Sequence, residues 1–362
     1  MQFPLFKPPT EWVIPDGYPN LSNAKEVAID LETKDPNLTT MGSGWARKDG
    51  HVIGIAVAVE GDQWYFPIRH ELGPNLDVKR TLSWLQDVCN VDRDYVFHNA
   101  PYDVGWLLAE GVQVHGRIVD TMVVAPLLDE NRFSYALNAV GRDYLQERKS
   151  EAELYVGLYA EQDAALTLRL WKHFQTLIIK EDISDIVDLE LKVLKTIVPM
   201  RQLGVCVDLD KTERVKVDLA KREKKLLDAI TQRTGIAVEI WAADSVAKAF
   251  DVLNLEYSRT ENTGAPSFTK GFLKHHPHEV AQMIVEAREL QKARSTFVDS
   301  ILKHQVNGRI HAELHPLRSD QGGTVTGRFS CSNPNLQQIP ARDPVIGPLI
   351  RSLFIPEQGT VW

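Results

Sequence analysis

Val27-Ala28-Ile29-Asp30-Leu31-Glu32-Thr33 is a short apolar run that carries two acids, two residues apart. Side chains of an extended strand alternate between its faces, so Asp30 and Glu32 project from one side and Leu31 from the other. Two like charges held together at the end of a hydrophobic strand cost stability unless a cation or protons neutralise them, and carboxylate oxygens suit Mg²⁺ or Mn²⁺. Taken alone, such a pair is also an ordinary feature of an exposed strand end.

From Lys25 to about Lys180 strand-like runs alternate with helical patterns, which predicts an α/β domain. VAID (Val27 to Asp30), VIGIAVAV (Val52 to Val59), QWYFPI (Gln63 to Ile68) and YVFH (Tyr95 to His98) read as strands, with Glu60-Gly61-Asp62 as a tight turn between the second and third. The last of these runs into Asn99-Ala100-Pro101, a proline-marked helix start, which places Asp103 in the first turn of a helix leaving a strand. A helix is predicted from about Glu153 to Lys180, where Leu166, Leu170, Phe174 and Ile178 recur every four residues. Tyr159 and Asp163 lie one turn apart on that helix. Each feature has a plainer reading: a first-turn acid for Asp103, amphipathic packing for Tyr159. Their order along the chain is far more specific than any one of them.

Beyond Lys180 the pattern turns mainly helical. Asp185 to Leu203 ends at Gly204, and Asp210 to Arg233 ends at Gly235, both glycines serving as stops. Between Lys211 and Arg233 eight Lys or Arg stand against four Asp or Glu, around an apolar stripe of Val215, Leu219, Leu226 and Ile230. A solvated helix face accounts for these charges. Ser258 to Gly271 reads as a loop, roughly His278 to His304 as one further helix, and the segment from Gly308 as turns and short strands.

At 362 residues the chain is long enough for more than one core. Its three cysteines, Cys89, Cys206 and Cys331, form no C-x-x-C pair, which fits reduced thiols in a cytoplasmic setting better than zinc or disulfides. No stretch is long enough to span a membrane, and the N-terminus is no signal peptide. The net charge of −8 excludes nucleic-acid binding through overall charge and requires that any such contact be local.

AIDLET (Ala28 to Thr33), FHNAPYD (Phe97 to Asp103) and YAEQD (Tyr159 to Asp163) together resemble the DEDDy 3′ to 5′ exonuclease domain of family A DNA polymerases, the class of bacterial DNA polymerase I. The resemblance implies a ribonuclease-H-like fold, a mixed sheet flanked by helices, in a bacterial or phage-infected cell. It implies two divalent ions: Asp30, Glu32 and Asp163 would hold the first, and Asp30 would bridge to a second completed by Asp103. Tyr159 would orient the attacking water, and Thr33 and Asn99 would contact the 3′-terminal nucleotide of a single strand. Asp120 matches a recurrent family aspartate near the site and is expected to be a supporting hydrogen-bond acceptor.

The resemblance continues through most of the chain. Arg201 to Lys211 resembles the start of a polymerase thumb, and Ala287 to Leu302 is similar to the long thumb helix, with Lys292 and Arg294 as implied phosphate contacts. TGRFSCSNPNLQQIP (Thr326 to Pro340) resembles the segment at the base of the palm that grips primer-template duplex, with Arg328, Asn335 and Gln337 at the contact positions. Gln338 and Cys331 depart from the usual Asn and Ser. The division implied is an N-terminal arm (1–24), an exonuclease domain (25–182), a helical thumb (183–307) and the beginning of a palm (308–362). The palm aspartates and nucleotide-binding helix are missing, so no polymerase activity is expected from this chain alone. Either it is part of a longer polymerase or a second polypeptide supplies palm and fingers. An RNA-trimming exonuclease and a non-catalytic DNA-clamping subunit are the competing readings.

Overall fold

The computed structural model describes residues 12–147, 156–320 and 322–361, so the start of the expected arm, the Glu153 end of the expected helix and Trp362 lie outside the described residues. The chain divides into two compact units, one running to Gly204 and including His311–Gln337, the other comprising Val205–Ile310 and the chain from Gln338.

The first unit is built on a five-stranded mixed sheet, in the order β3-β2-β1-β4-β5. Its strands are β1 (Glu26–Lys34), β2 (His51–Val59), β3 (Asp62–Pro67), β4 (Asp94–Phe97) and β5 (Arg117–Asp120). The central strand β1 runs antiparallel to β2 and parallel to β4. Gly61, at φ +89°, makes the tight turn between β2 and β3. Helices follow as α1 (Leu38–Met41), α2 (Val78–Cys89), α3 (Ala100–Ala109), α4 (Thr121–Leu128), α5 (Leu137–Leu145), α6 (Val156–Lys180) and α7 (Ser184–Leu203). The four-residue repeat of α6 buries Leu166, Leu170, Phe174 and Ile178 in one core with Val27, Ile29 and Val57 of the sheet. Each such burial contributes roughly 1.5–3 kcal/mol.

Sequence patterning placed no element on β5 or α2. RIVD is too short to show an alternation, and α2 is defined by Asp77, whose side chain caps Arg80 N at 2.8 Å, and by the buried Thr81, Leu85 and Val88. From Trp12 onward the arm has no regular structure but packs on the sheet. Tyr18 stacks on Trp84 at 5.2 Å and on Phe66 at 5.6 Å, and Leu21 is buried. Val187, Leu191, Leu194, Ile197 and Val198 of α7 belong to the same core.

His311–Gln337 joins this unit through a buried ion pair. Arg201 Nη2 lies 2.9 Å from Glu313 Oε1, the guanidinium stacks 4.9 Å over the Trp45 ring, and Ser43 N and Oγ donate to the same carboxylate oxygen at 2.8 Å. Asn333 Nδ2 donates to the other oxygen at 2.6 Å.

The second unit is mainly helical: α8 (Leu209–Thr234), α9 (Ala243–Val252), α10 (Lys270–His275), α11 (Glu279–Lys292), α12 (Asp299–His304) and α13 (Ile346–Arg351). Ile230, Phe250, Phe268, Leu273, Val280 and Ile284 form its core. Arg214, Lys221, Arg222, Lys224 and Lys225 of α8 are exposed, as a solvated face requires. The single helix expected over 278–304 is instead α11, a π-helical turn at Ala293–Val298, and α12. Ser295, Thr296 and Val298 are poor α-formers, and the wider turn inserts one residue into the ladder. The loop expected at 258–271 contains a short hairpin, Ser258–Arg259 with Pro266–Ser267, and the irregular C-terminal segment contains the unexpected α13.

Replacing Phe174 with Ala should lower stability by about 3–5 kcal/mol in chemical denaturation, whereas Ile179→Ala on the exposed side of α6 should change it by less than about 0.5 kcal/mol. Glu313→Gln should cost roughly 3 kcal/mol by leaving Arg201 buried without its partner. Burial pushes the Glu313 carboxyl up, but the Arg201 guanidinium, Asn333 and Ser43 outweigh it and hold it below its usual value. The pair's contribution is therefore complete above the ordinary carboxylate range and is lost as pH falls through the folded value. The stability gap between wild type and Glu313→Gln, followed by Tm against pH, should shrink below about pH 4.

Candidate active site

Asp30 and Glu32 stand on one face of β1, as alternation requires, with Val27, Ile29 and Leu31 buried on the other. Pairing of β1 with β4 ends at Ala28–Val96, while β4 runs on to Phe97 and turns into α3. Among the described residues no strand pairs with β1 beyond Ala28 on that side. Asp103, one turn into α3, fills the place: its Oδ1 accepts the Leu31 amide at 3.0 Å. A third carboxylate is thereby set against the strand between the other two. Asp103 is only 4 % exposed; burial first, then the charge of Asp30, push it well above the usual carboxylate range against the pull of the Leu31 amide.

The junction that delivers Asp103 is strained and braced. Asn99 precedes α3 in the left-handed region, at φ +79°, with Pro101 in the first turn. Asp120, at the end of β5, accepts Asn99 N at 2.9 Å, Ala100 N at 2.8 Å and Met122 N at 2.8 Å. Burial raises its carboxyl to about 6 although the amides favour the charged form. His98 is fixed between Thr121 Oγ1 at 2.8 Å and the Tyr135 carbonyl at 3.0 Å. Thr33 Oγ1 lies 2.6 Å from Tyr102 Oη, next to Asp103. The bulge between Glu32 and Thr33, where β2 gives two residues to one, re-aims the strand at this point.

Asp163 is buried on α6, which packs against β1, β2 and β3, and Tyr159 is half-buried one turn before it. Tyr65 of β3 is fully buried; burial first, then the charges of Glu32 and Asp30, raise its phenol far above its usual value. Its hydroxyl lies 2.6 Å from His70 Nε2. Sequence reading passed over Tyr65, His70, His98 and Tyr102. The last two sit inside FHNAPYD, but nothing local in QWYFPI marks its tyrosine as a neighbour of the carboxylates.

Among the described residues no three His, Cys, Asp or Glu side chains are drawn together closely enough to hold an ion as they stand. The donor chemistry fits a hard divalent cation all the same: carboxylate oxygens alone, with Asp103 buried and repelled by Asp30, a state that such a cation would relieve.

The proposed duplex contacts fall in two places. Arg328, Asn335 and Gln337 belong to the first unit and are exposed. Thr324 Oγ1 donates to the Arg328 carbonyl at 2.8 Å, Asn335 Oδ1 accepts Gln337 N at 3.1 Å, and Gln337 Nε2 donates to the Phe329 carbonyl at 3.0 Å. In the second unit Lys292 is exposed, but Arg294 is turned inward, with Nη2 3.0 Å from Oε2 of the buried Glu223.

Residues 18–179 match the sequence profile described as 3′-5′ exonuclease, and residues 209–362 that of DNA polymerase family A. The whole chain aligns at 32% identity with 60% of a DNA-directed DNA polymerase of Pseudomonas phage M6. At 28% identity, 95% of it aligns with 60% of the DNA polymerase DpoZ of Salmonella phage PMBT28. The chain thus spans about 60% of the length of these relatives. The POL domain of Pol1 from M. smegmatis, solved in complex with DNA primer-template and dNTP, shares the fold, with a TM-score of 0.75 at 20% identity over 94% of this chain and 57% of that one. Among the described residues no helix is long and apolar enough to cross a membrane.

Asp120→Ala would leave three amides, two of them buried, without their acceptor, so it should destabilise the chain by at least about 3 kcal/mol in chemical denaturation. Asp120→Asn, which keeps one acceptor oxygen, should cost less.

Proposed function

The chain belongs to DNA polymerase family A and carries its 3′-5′ exonuclease domain, and from this we propose that it releases nucleoside monophosphates from the 3′ end of DNA, as a proofreading nuclease in the cytoplasm of a bacterial or phage-infected cell. The observation that carries this reading is the hydrogen bond from the Leu31 amide to Asp103 Oδ1, which draws a carboxylate from a helix start to the strand holding Asp30 and Glu32. An isolated surface pair of acids would not recruit a third, buried one.

In this reading Asp30, Glu32 and Asp163 would hold one divalent ion, and Asp30 with Asp103 would hold a second. Two Mg²⁺ or Mn²⁺ ions supply Lewis acidity at the scissile phosphate and offset the charge of the carboxylates. Thr33 and Asn99 bind the terminal nucleotide, and Tyr159 holds the attacking water at its hydroxyl. Asp120 keeps the Asn99 turn rigid, so that Asp103 need not reorganise during the reaction. The match of residues 209–362 to a DNA polymerase profile favours DNA over RNA as substrate. Arg328, Asn335, Gln337 and Lys292 are the groups proposed to meet primer-template DNA. Arg294, already engaged with Glu223, would need to exchange that partner for a phosphate. The boundaries near residues 182 and 307, and a second polypeptide carrying palm and fingers, stand as proposals on the same footing.

The test is release of mononucleotides from 3′-labelled single-stranded DNA in Mg²⁺. Chelation by EDTA should abolish it, and Asp30→Ala should reduce it by several kcal/mol of barrier, at least about 100-fold, with DNA binding retained. Undiminished hydrolysis in Asp30→Ala would overturn the assignment. Binding without hydrolysis in wild type would favour a clamping role, and faster loss of a matched RNA strand an RNA-trimming one. Residues 1–362 alone should not extend a primer when dNTPs are added.

A further inference from the structure

We propose that Tyr65, held by His70, is a positioning residue for the carboxylates of β1, its hydroxyl standing in the slot that Gly54 leaves open beside Glu32. The inference rests on the exonuclease reading above. Across the sheet, Asp30 pairs with Ala56 and Ala56 with Tyr65, while Glu32 pairs with Gly54. Directly paired residues project from the same face, so Tyr65 shares the face of both acids. Only the small side of Ala56 and the bare backbone of Gly54 separate them. A β-carbon at position 54 would fall 1.8 Å from Tyr65 Oη, which means that the phenol occupies the volume any side chain there would take, on the rung that carries Glu32.

The ring is fixed on every other side. His70 Nε2 meets Oη at 2.6 Å, with the two rings edge to face at 5.8 Å. His70 is anchored in turn by Asn75, which accepts its amide at 2.8 Å and donates to its carbonyl at 2.9 Å. The Trp12 ring lies 6.0 Å from that of Tyr65, and Glu161 Oε1 accepts both Trp12 Nε1 at 2.8 Å and Tyr65 N at 2.9 Å. Glu161 stands on α6 between Tyr159 and Asp163, so one tyrosine is tied to the helix that brings two of the site residues and placed beside the strand that brings two more. In the tautomer that carries the proton on His70 Nε2, that nitrogen donates to Oη and the phenol's own proton is left for the carboxylate face. A neutral donor there orients an acid without adding charge, as outer partners of ligating groups do.

The probe is Mn²⁺ alone, titrated into the full chain without DNA and followed by the electron paramagnetic resonance of the free ion, with Tm and nucleotide release measured on the same samples. Tyr65→Phe keeps the ring and removes only the hydroxyl. It should weaken Mn²⁺ binding about tenfold and raise by a like factor the metal concentration that gives half-maximal release, with Tm within a few degrees of wild type. Should Tyr65→Phe not fold, His70→Ala, which leaves the phenol in place, carries the same expectation. Wild-type Mn²⁺ affinity in the folded variant would overturn the inference while leaving the exonuclease reading intact. A wild-type chain that neither binds Mn²⁺ nor releases nucleotides would overturn both.

Discussion

The Leu31 amide lies between Asp30 and Glu32 and donates to Asp103 Oδ1 on the side of β1 where pairing with β4 has already ended. A buried amide without an acceptor would cost about 1–3 kcal/mol, so the strand end requires something to take it. That the acceptor is a carboxylate, and that it arrives from the first turn of α3, fixes the rest. The chain must leave β4 sharply, which puts Asn99 in the left-handed region, and that turn must be stabilised, which Asp120 does through three amides. Asp120 sits at the end of β5, so the outermost strand of the sheet is coupled to the innermost carboxylates through one short loop.

Such a cluster opposes folding, because Asp30 and Asp103 repel in a poorly solvated place. The sheet beneath it is correspondingly apolar. Val27, Ala28, Ile55, Ala56, Val57 and Ala58 are all fully buried, and α6 lays a continuous aliphatic and aromatic face across them. Ala56 has a second consequence, since a small residue between Asp30 and Tyr65 leaves room for the phenol on the face that carries the acids. Rigidity and room are supplied by the same strand.

The parts legible in the sequence are those written in short periods. The alternation of β1 placed Asp30 and Glu32 on one face, the four-residue repeat of α6 marked its buried side, and Pro101 marked the start of α3. What escaped was either too short for a period, as with β5, or depended on residues distant in the chain. Glu313 closes the first unit through Arg201 and Ser43, over separations of 112 and 270 positions, and no local pattern announces such a pair. QWYFPI marks Tyr65 as a strand residue, which it is. Its relation to Glu32 passes through the absence of a side chain at Gly54, and a sequence shows which residues are small but not what fills the space they leave. The π turn at Ala293–Val298 escaped for a different reason, since its apolar positions lie close to those of an α-helix and its signature is only a slip of one residue.

Lys292 and Arg294 show the same limit for charge. Lys292 ends α11 and Arg294 stands in the π turn that follows, and both read from sequence as equivalent phosphate contacts. In the fold Glu223 of α8 is buried, and a buried carboxylate requires a partner that can meet it with several donors at small desolvation cost. Arginine, with its planar and weakly hydrated fork, meets that demand better than lysine, and Arg294 directs Nε and Nη2 at one Glu223 oxygen while Gln291 donates to the other. Lys292, a strongly hydrated point charge, stays in water. Two cations two positions apart thus divide into a structural tie and an exposed charge, and the division is set by a carboxylate about seventy residues away rather than by the cations themselves.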